Sequence, residues 1–99
     1  MGRSLLLVLL AVPVLAAAET HVVTIEGMAS RPATLTVKRG DTVTWRNKDV
    51  VPHTVTAKGR FDSGEIAAGR SWSWVATAPG TYEYVCAYHP GMRAAIVVQ

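Results

Sequence analysis

Short runs of alternating apolar and polar residues, each closed by a turn, restrict this chain to a β fold. Val23 and Ile25 alternate with Thr24 and Glu26. Ala33 to Lys38 alternates in the same way, and Thr42 to Arg46 places Val43 and Trp45 on one face. Ser71 to Val75, Thr81 to Cys86 and Ala94 to Val98 continue the pattern. Successive side chains of a strand point to opposite faces, so a period of two in β-branched and aromatic residues marks a half-buried strand. Val50 to Val55 starts a further strand, with Pro52 placing it at an edge or a bend. Arg39-Gly40-Asp41, Asn47-Lys48-Asp49, Lys58-Gly59-Arg60 and Asp62-Ser63-Gly64 supply turns. Ala78-Pro79-Gly80 fits a type II turn, and Glu65 to Gly69 reads as a loop. No useful helical period follows Ala18. The fold class expected is all-β, a sandwich of about seven to eight strands. Trp45, Trp72, Trp74 and the tyrosines are expected to fill its core or the edge of it, because large aromatics dominate small cores.

The first eighteen residues belong to another pattern. A short basic start, Met1 to Ser4, precedes an apolar run from Leu5 to Leu15 and the small residues Ala16-Ala17-Ala18. This is the layout of a secretory signal peptide cut after Ala18. The run is too short to cross a ~30 Å hydrocarbon core as a helix. Residues 1–18 are therefore expected to be a leader, and residues 19–99 one domain with a modest core. Periplasmic or otherwise exported localisation follows, with no stable membrane insertion after cleavage. The net charge of +3 is scattered along the chain. No basic stripe suited to nucleic acid appears, and a monomer is expected.

Export places a thiol where disulfides form, yet this chain has a single cysteine. Cys86 is therefore an intermolecular crosslink, an inert buried thiol, or a metal ligand. Its neighbours favour the last. Cys86, His89 and Met92 follow at three-residue steps, and His53 stands upstream at the end of a strand-like run. One thiolate, two imidazoles and one thioether suit copper, whose electron-transfer sites combine His2Cys with a weak axial Met. Zinc also takes Cys and His, but its structural sites want four strong ligands, and a Met in fourth place argues against it. His21 has no ligand context and is left outside the site.

These residues, with Asp41-Thr42-Val43-Thr44-Trp45, Pro52-His53 and Gly80 to Met92, resemble the small blue copper proteins, the cupredoxins. The C-x2-H-x2-M loop is most similar to the amicyanin type. The resemblance runs from about Val22 to Val98. It implies a Greek-key β-sandwich with one copper per chain, held by His53, Cys86, His89 and Met92 at one end. It also implies a redox protein as partner, met through a weak transient interface near His89, and raises an amine dehydrogenase as donor. Pro52, Pro90 and Gly91 would form the apolar part of that face, with Lys48, Lys58 or Arg93 as a basic rim. His89 is expected to face solvent and His53 to lie deeper.

Two positions depart from the family pattern. Cupredoxins commonly carry Asn after the first His ligand, and often Ser or Thr after the Cys, and these side chains tie the ligand loops together. Here Thr54 and Ala87 stand there, so a loosely braced site is expected. The leading function is an exported one-electron carrier. The alternative is a copper-binding protein for handling or tolerance, but the Met- or His-rich tracts that favour that role are missing. Enzyme activity is not expected, because three histidines cannot supply a multinuclear cluster.

Overall fold

The computed structural model describes Ser4 and residues 17–99. Most of the expected leader, residues 1–3 and 5–16, lies outside the described residues. Among those described, nine strands and no helix are present: β1 Thr20–Glu26, β2 Ala29–Arg31, β3 Thr34–Val37, β4 Thr42–Asn47, β5 Thr56–Ala57, β6 Phe61–Asp62, β7 Ser71–Val75, β8 Gly80–Cys86 and β9 His89–Val98. No helix here is long and apolar enough to cross a membrane.

The strands form two mixed sheets, ordered β2-β1-β4-β7 and β3-β9-β8-β5-β6. β1 runs parallel to β4, and β3 runs parallel to β9. The apolar half of each alternating run points into the space between the sheets. Val23 and Ile25 from β1, Val43 and Trp45 from β4, Tyr82 and Tyr84 from β8, and Ile96 and Val98 from β9 are all buried there. Trp45 is fully enclosed. It meets Tyr84 edge-on at 5.4 Å between ring centroids and Trp72 at 5.5 Å, which continues an aromatic layer through Phe61 to Trp74. The three tryptophans, Tyr82 and Tyr84 thus fill the core or its edge, whereas Tyr88 is exposed and does not.

Three local expectations are corrected. Val50 to Val55 is not a strand. It contributes one isolated bridge, His53 to Ile66, and regular pairing resumes only at Thr56. Pro52 has no N–H for a ladder, and the Val51 carbonyl is taken by the Asn47 side chain at 2.9 Å. Gly80 has φ +146 and already begins β8, so Ala78-Pro79-Gly80 is a bend leading into a strand instead of a type II turn. The third concerns the last strand, which starts at His89, well before Ala94. Val85 pairs with Arg93, yet the next residue, Cys86, pairs with His89. Pro90, Gly91 and Met92 therefore have no partner on β8 and loop out of the ladder. That bulge lets two residues three apart both stand beside the end of β8.

Candidate metal centre

Cys86 is the final residue of β8 and is buried. Its sulfur accepts the Thr54 N–H at 3.3 Å and lies 3.6 Å from His53 Nδ1. Burial pushes the thiol up. The N–H groups of Thr54, Tyr88 and His89 and the His53 ring outweigh that and hold it below its ordinary value. That direction makes the thiolate, the form that binds metals, easier to reach.

His53 is fully buried. Two backbone hydrogen bonds with Ile66, at 3.1 and 2.7 Å, fix its main chain. Its Nε2 lies 2.7 Å from Asp49 Oδ2. Burial raises the Asp49 carboxyl, but the N–H groups of Met28 and Gly27 and the His53 ring together bring it below its usual value. An ionised carboxylate only accepts, so Nε2 carries a proton, and Nδ1 is the ring nitrogen that faces Cys86. A carboxylate behind a ligating imidazole is a common way to set ring orientation and basicity.

Asp49 is itself held by two other elements. Its carboxylate accepts from Gly27 N at 2.7 Å and Met28 N at 3.1 Å. These two residues form the β1–β2 turn and have φ of +62 and +61. Positive φ at both central positions is the two-residue hairpin turn whose twist suits antiparallel strands. The Asp49 N–H in turn donates to Asn47 Oδ1 at 2.9 Å, and Asn47 Nδ2 donates to the Val51 and Ile66 carbonyls. The buried Asn47 therefore ties the end of β4 to both sides of His53.

Thr54 overturns the expectation of loose bracing. Its hydroxyl oxygen accepts the Ala87 backbone N–H at 2.7 Å and contacts Thr56 Oγ1 at 2.9 Å. The two ligand segments are joined without any polar side chain at position 87. A backbone N–H is present whatever the side chain, so the bridge needs only one suitable residue.

The other two expected ligands stand beside this pair. His89 is half-buried, with its ring centroid 5.4 Å from that of His53, so His53 is indeed the deeper of the two. Met92 is half-buried on the edge of the core, and Met28 shares its surroundings with Met92, His53 and Cys86. Among the described residues, no three His, Cys, Asp or Glu side chains converge as a ready cation site. The formed element is the His53–Cys86 pair. Donors 3.6 Å apart can both reach one ion at bonds of about 2.0–2.3 Å. An imidazole lone pair and an activated thiol, with a thioether at hand, fit a soft or borderline ion. Asp49, Asn47 and Met28 were not apparent from the sequence as parts of the site. The one usable signal was an acidic residue four positions before the ligand-candidate His53.

The chain is similar to known proteins over most of its length. The cupredoxin-like domain family matches residues 3–98. Amicyanin from Paracoccus denitrificans is 36% identical over 84 residues, which cover 79% of this chain and 64% of that protein. Plastocyanin from Scenedesmus fuscus is 34% identical over 86 residues, covering 69% of this chain and 84% of that one. The chain spans less than two thirds of the first amicyanins it matches, and only 58% of one from Methylorubrum extorquens. A solved Cu(I) form of an amicyanin variant superimposes with a TM-score of 0.77 at 36% identity, covering 85% of this chain and 86% of that one. A two-sheet sandwich that presents a buried His–Cys pair at one end, matched over nearly its whole length, places this chain in the cupredoxin-like family.

Proposed function

We propose that this chain is an exported type 1 copper electron carrier, with one copper held by His53, Cys86, His89 and Met92, and that it is not an enzyme. The observation that carries this reading is the 3.6 Å approach of His53 Nδ1 to Cys86 Sγ, with Asp49 taking Nε2 and leaving Nδ1 to face the sulfur. Bound copper would supply one-electron exchange between Cu(II) and Cu(I). The chain's own part is to hold its donors still. His53 is fixed by Ile66 and Asp49, and Cys86 by β8 and the Thr54 N–H. His89 precedes the outlooped segment and is half-buried where His53 and Cys86 are buried, which suits the entry and exit of electrons.

A redox partner would dock at this end. Pro52, Pro90 and Gly91 are exposed here, as expected, and Met28, Val50, Val51 and Tyr88 extend the apolar surface. Lys58 and Arg93 instead border a groove on the outer face of the five-stranded sheet, together with Glu83. They would therefore act on association rate from the flank, as rim charges do.

The test is to add Cu(II) to the purified protein and record absorption and potential. An intense visible thiolate band at one copper per chain is expected. Cys86→Ser should lose it, whereas Met92→Leu should keep the metal and shift the potential. A Cys86→Ser protein that stays equally coloured would refute the reading.

A further inference from the structure

We propose that removal of residues 1–18 creates an ion pair between the new α-ammonium group of Glu19 and the buried carboxylate of Asp41. This pair would clasp the start of β1 at the pole opposite the metal centre. The inference rests on the reading of residues 1–18 as a cleaved leader. Glu19 N already donates to Asp41 Oδ1 at 3.0 Å. Asp41 is 5% exposed. Its Oδ2 accepts the Lys38 N–H at 3.0 Å and meets His21 Nε2 at 3.0 Å. The N–H groups of Glu19 and Lys38 and the His21 ring pull this carboxyl down to about 2, so it is ionised at any working pH.

Ala17, Ala18 and Glu19 are exposed and precede the first strand, so the Ala18–Glu19 bond is open to a leader peptidase. Hydrolysis adds one water across that bond. The C–N bond breaks, Ala18 leaves with a carboxylate, and the Glu19 nitrogen takes up a proton. The nitrogen has no reason to move, because the Glu19 carbonyl accepts the Thr42 N–H at 2.9 Å and Thr20 is paired with Thr42. A neutral donor thereby becomes a charged one on the same acceptor, and bonds between ionised partners are about twice as strong as neutral ones. The groups facing the new ammonium are the Glu19 and Asp41 carboxylates, His21, Lys38 and Gln99. They border a cavity of about 190 Å³, which leaves water room to reach the remaining N–H groups.

The experiment starts with the intact mass of the protein recovered after export. A chain beginning at Glu19 is expected, and one beginning elsewhere overturns the proposal through the leader reading alone. On protein that begins at Glu19, the α-amino group is then titrated by NMR in wild type and Asp41→Asn. A free α-amine titrates near ~7.7–8.0. The wild-type midpoint should lie at least one unit higher, about a tenfold tighter hold on the proton, and should fall back in Asp41→Asn. A raised folded value gives stability that is present below the unfolded value and lost as pH rises through the folded one. The melting temperature should therefore drop through that alkaline range in wild type. Acetylation of the Glu19 amine in wild type covers the case in which Asp41→Asn does not fold. The acetylated protein should melt lower at pH 7 and show no such alkaline drop. A wild-type midpoint at the free-amine value, or equal melting of the acetylated and free proteins, would overturn the ion pair with the leader reading intact.

Discussion

Thr54 joins the two ligand-bearing segments from a single position, donating its N–H to Cys86 Sγ and accepting the Ala87 N–H on its hydroxyl. Thr54→Val keeps the shape and the N–H but removes the acceptor. It should destabilise the protein by about 1 kcal/mol, the usual net worth of one hydrogen bond, and Thr54→Ser should stay near wild type. Urea unfolding of the metal-free proteins checks both. The bridge needs no polar side chain at position 87, since the backbone already supplies the donor. Asp49 acts on the metal site through His53. Asp49→Leu should lower Cu(II) affinity about 10–100-fold, the usual effect of losing a partner behind a ligand, measured by chelator competition. Unchanged affinity would mean that Ile66 alone orients the ring. The candidate ligands stood out because thiol, imidazole and thioether at fixed spacing have few other uses. Asp49 was not, because an Asp in a polar turn is ordinary and only the fold brings it to a histidine.

Among the elements, the β1–β2 turn and the outlooped segment of β9 decide the shape of the site. Gly27 sits at φ +62, and an added Cβ would meet only the Arg31 guanidinium at 3.8 Å, an ordinary contact. Strain from φ is then the main cost of a side chain there. Gly27→Val should destabilise by about 1–2 kcal/mol and loosen the N–H pair that grips Asp49. Thermal melting shows the first effect and copper affinity the second. The alternating runs β1, β3, β4, β7 and β8 were legible, because period two has one simple structural meaning. The two-residue strands β5 and β6 were not, because a run that short carries no period. The early start of β9 was also hidden. Pro90 and Gly91 look like a terminator, yet the ladder skips them and resumes at Arg93.

Across the whole molecule, β4 separates two polar clusters. Asp41 precedes its first residue, and Asn47, its last, leads to Asp49 and the metal centre. Asp41 lies at about 2, below the ordinary 3.8. Its contribution is present above the ordinary value and is lost as pH falls from about 4 toward 2. Asp41→Asn should therefore melt lower than wild type at neutral pH, with the gap closing in acid. A constant gap across that range would mean that the carboxylate charge contributes nothing. The sequence by itself determined the all-β class, the core face of the longer strands and the choice of candidate donors, because periodicity and ligand chemistry are local properties. Only the tertiary structure decided that His53 lies behind the end of β8, that Asp49 sets which of its ring nitrogens faces Cys86, and that Thr54 makes a polar residue at 87 unnecessary. Those contacts join residues far apart in the chain, and their distances exist only once two sheets have packed on one aromatic core.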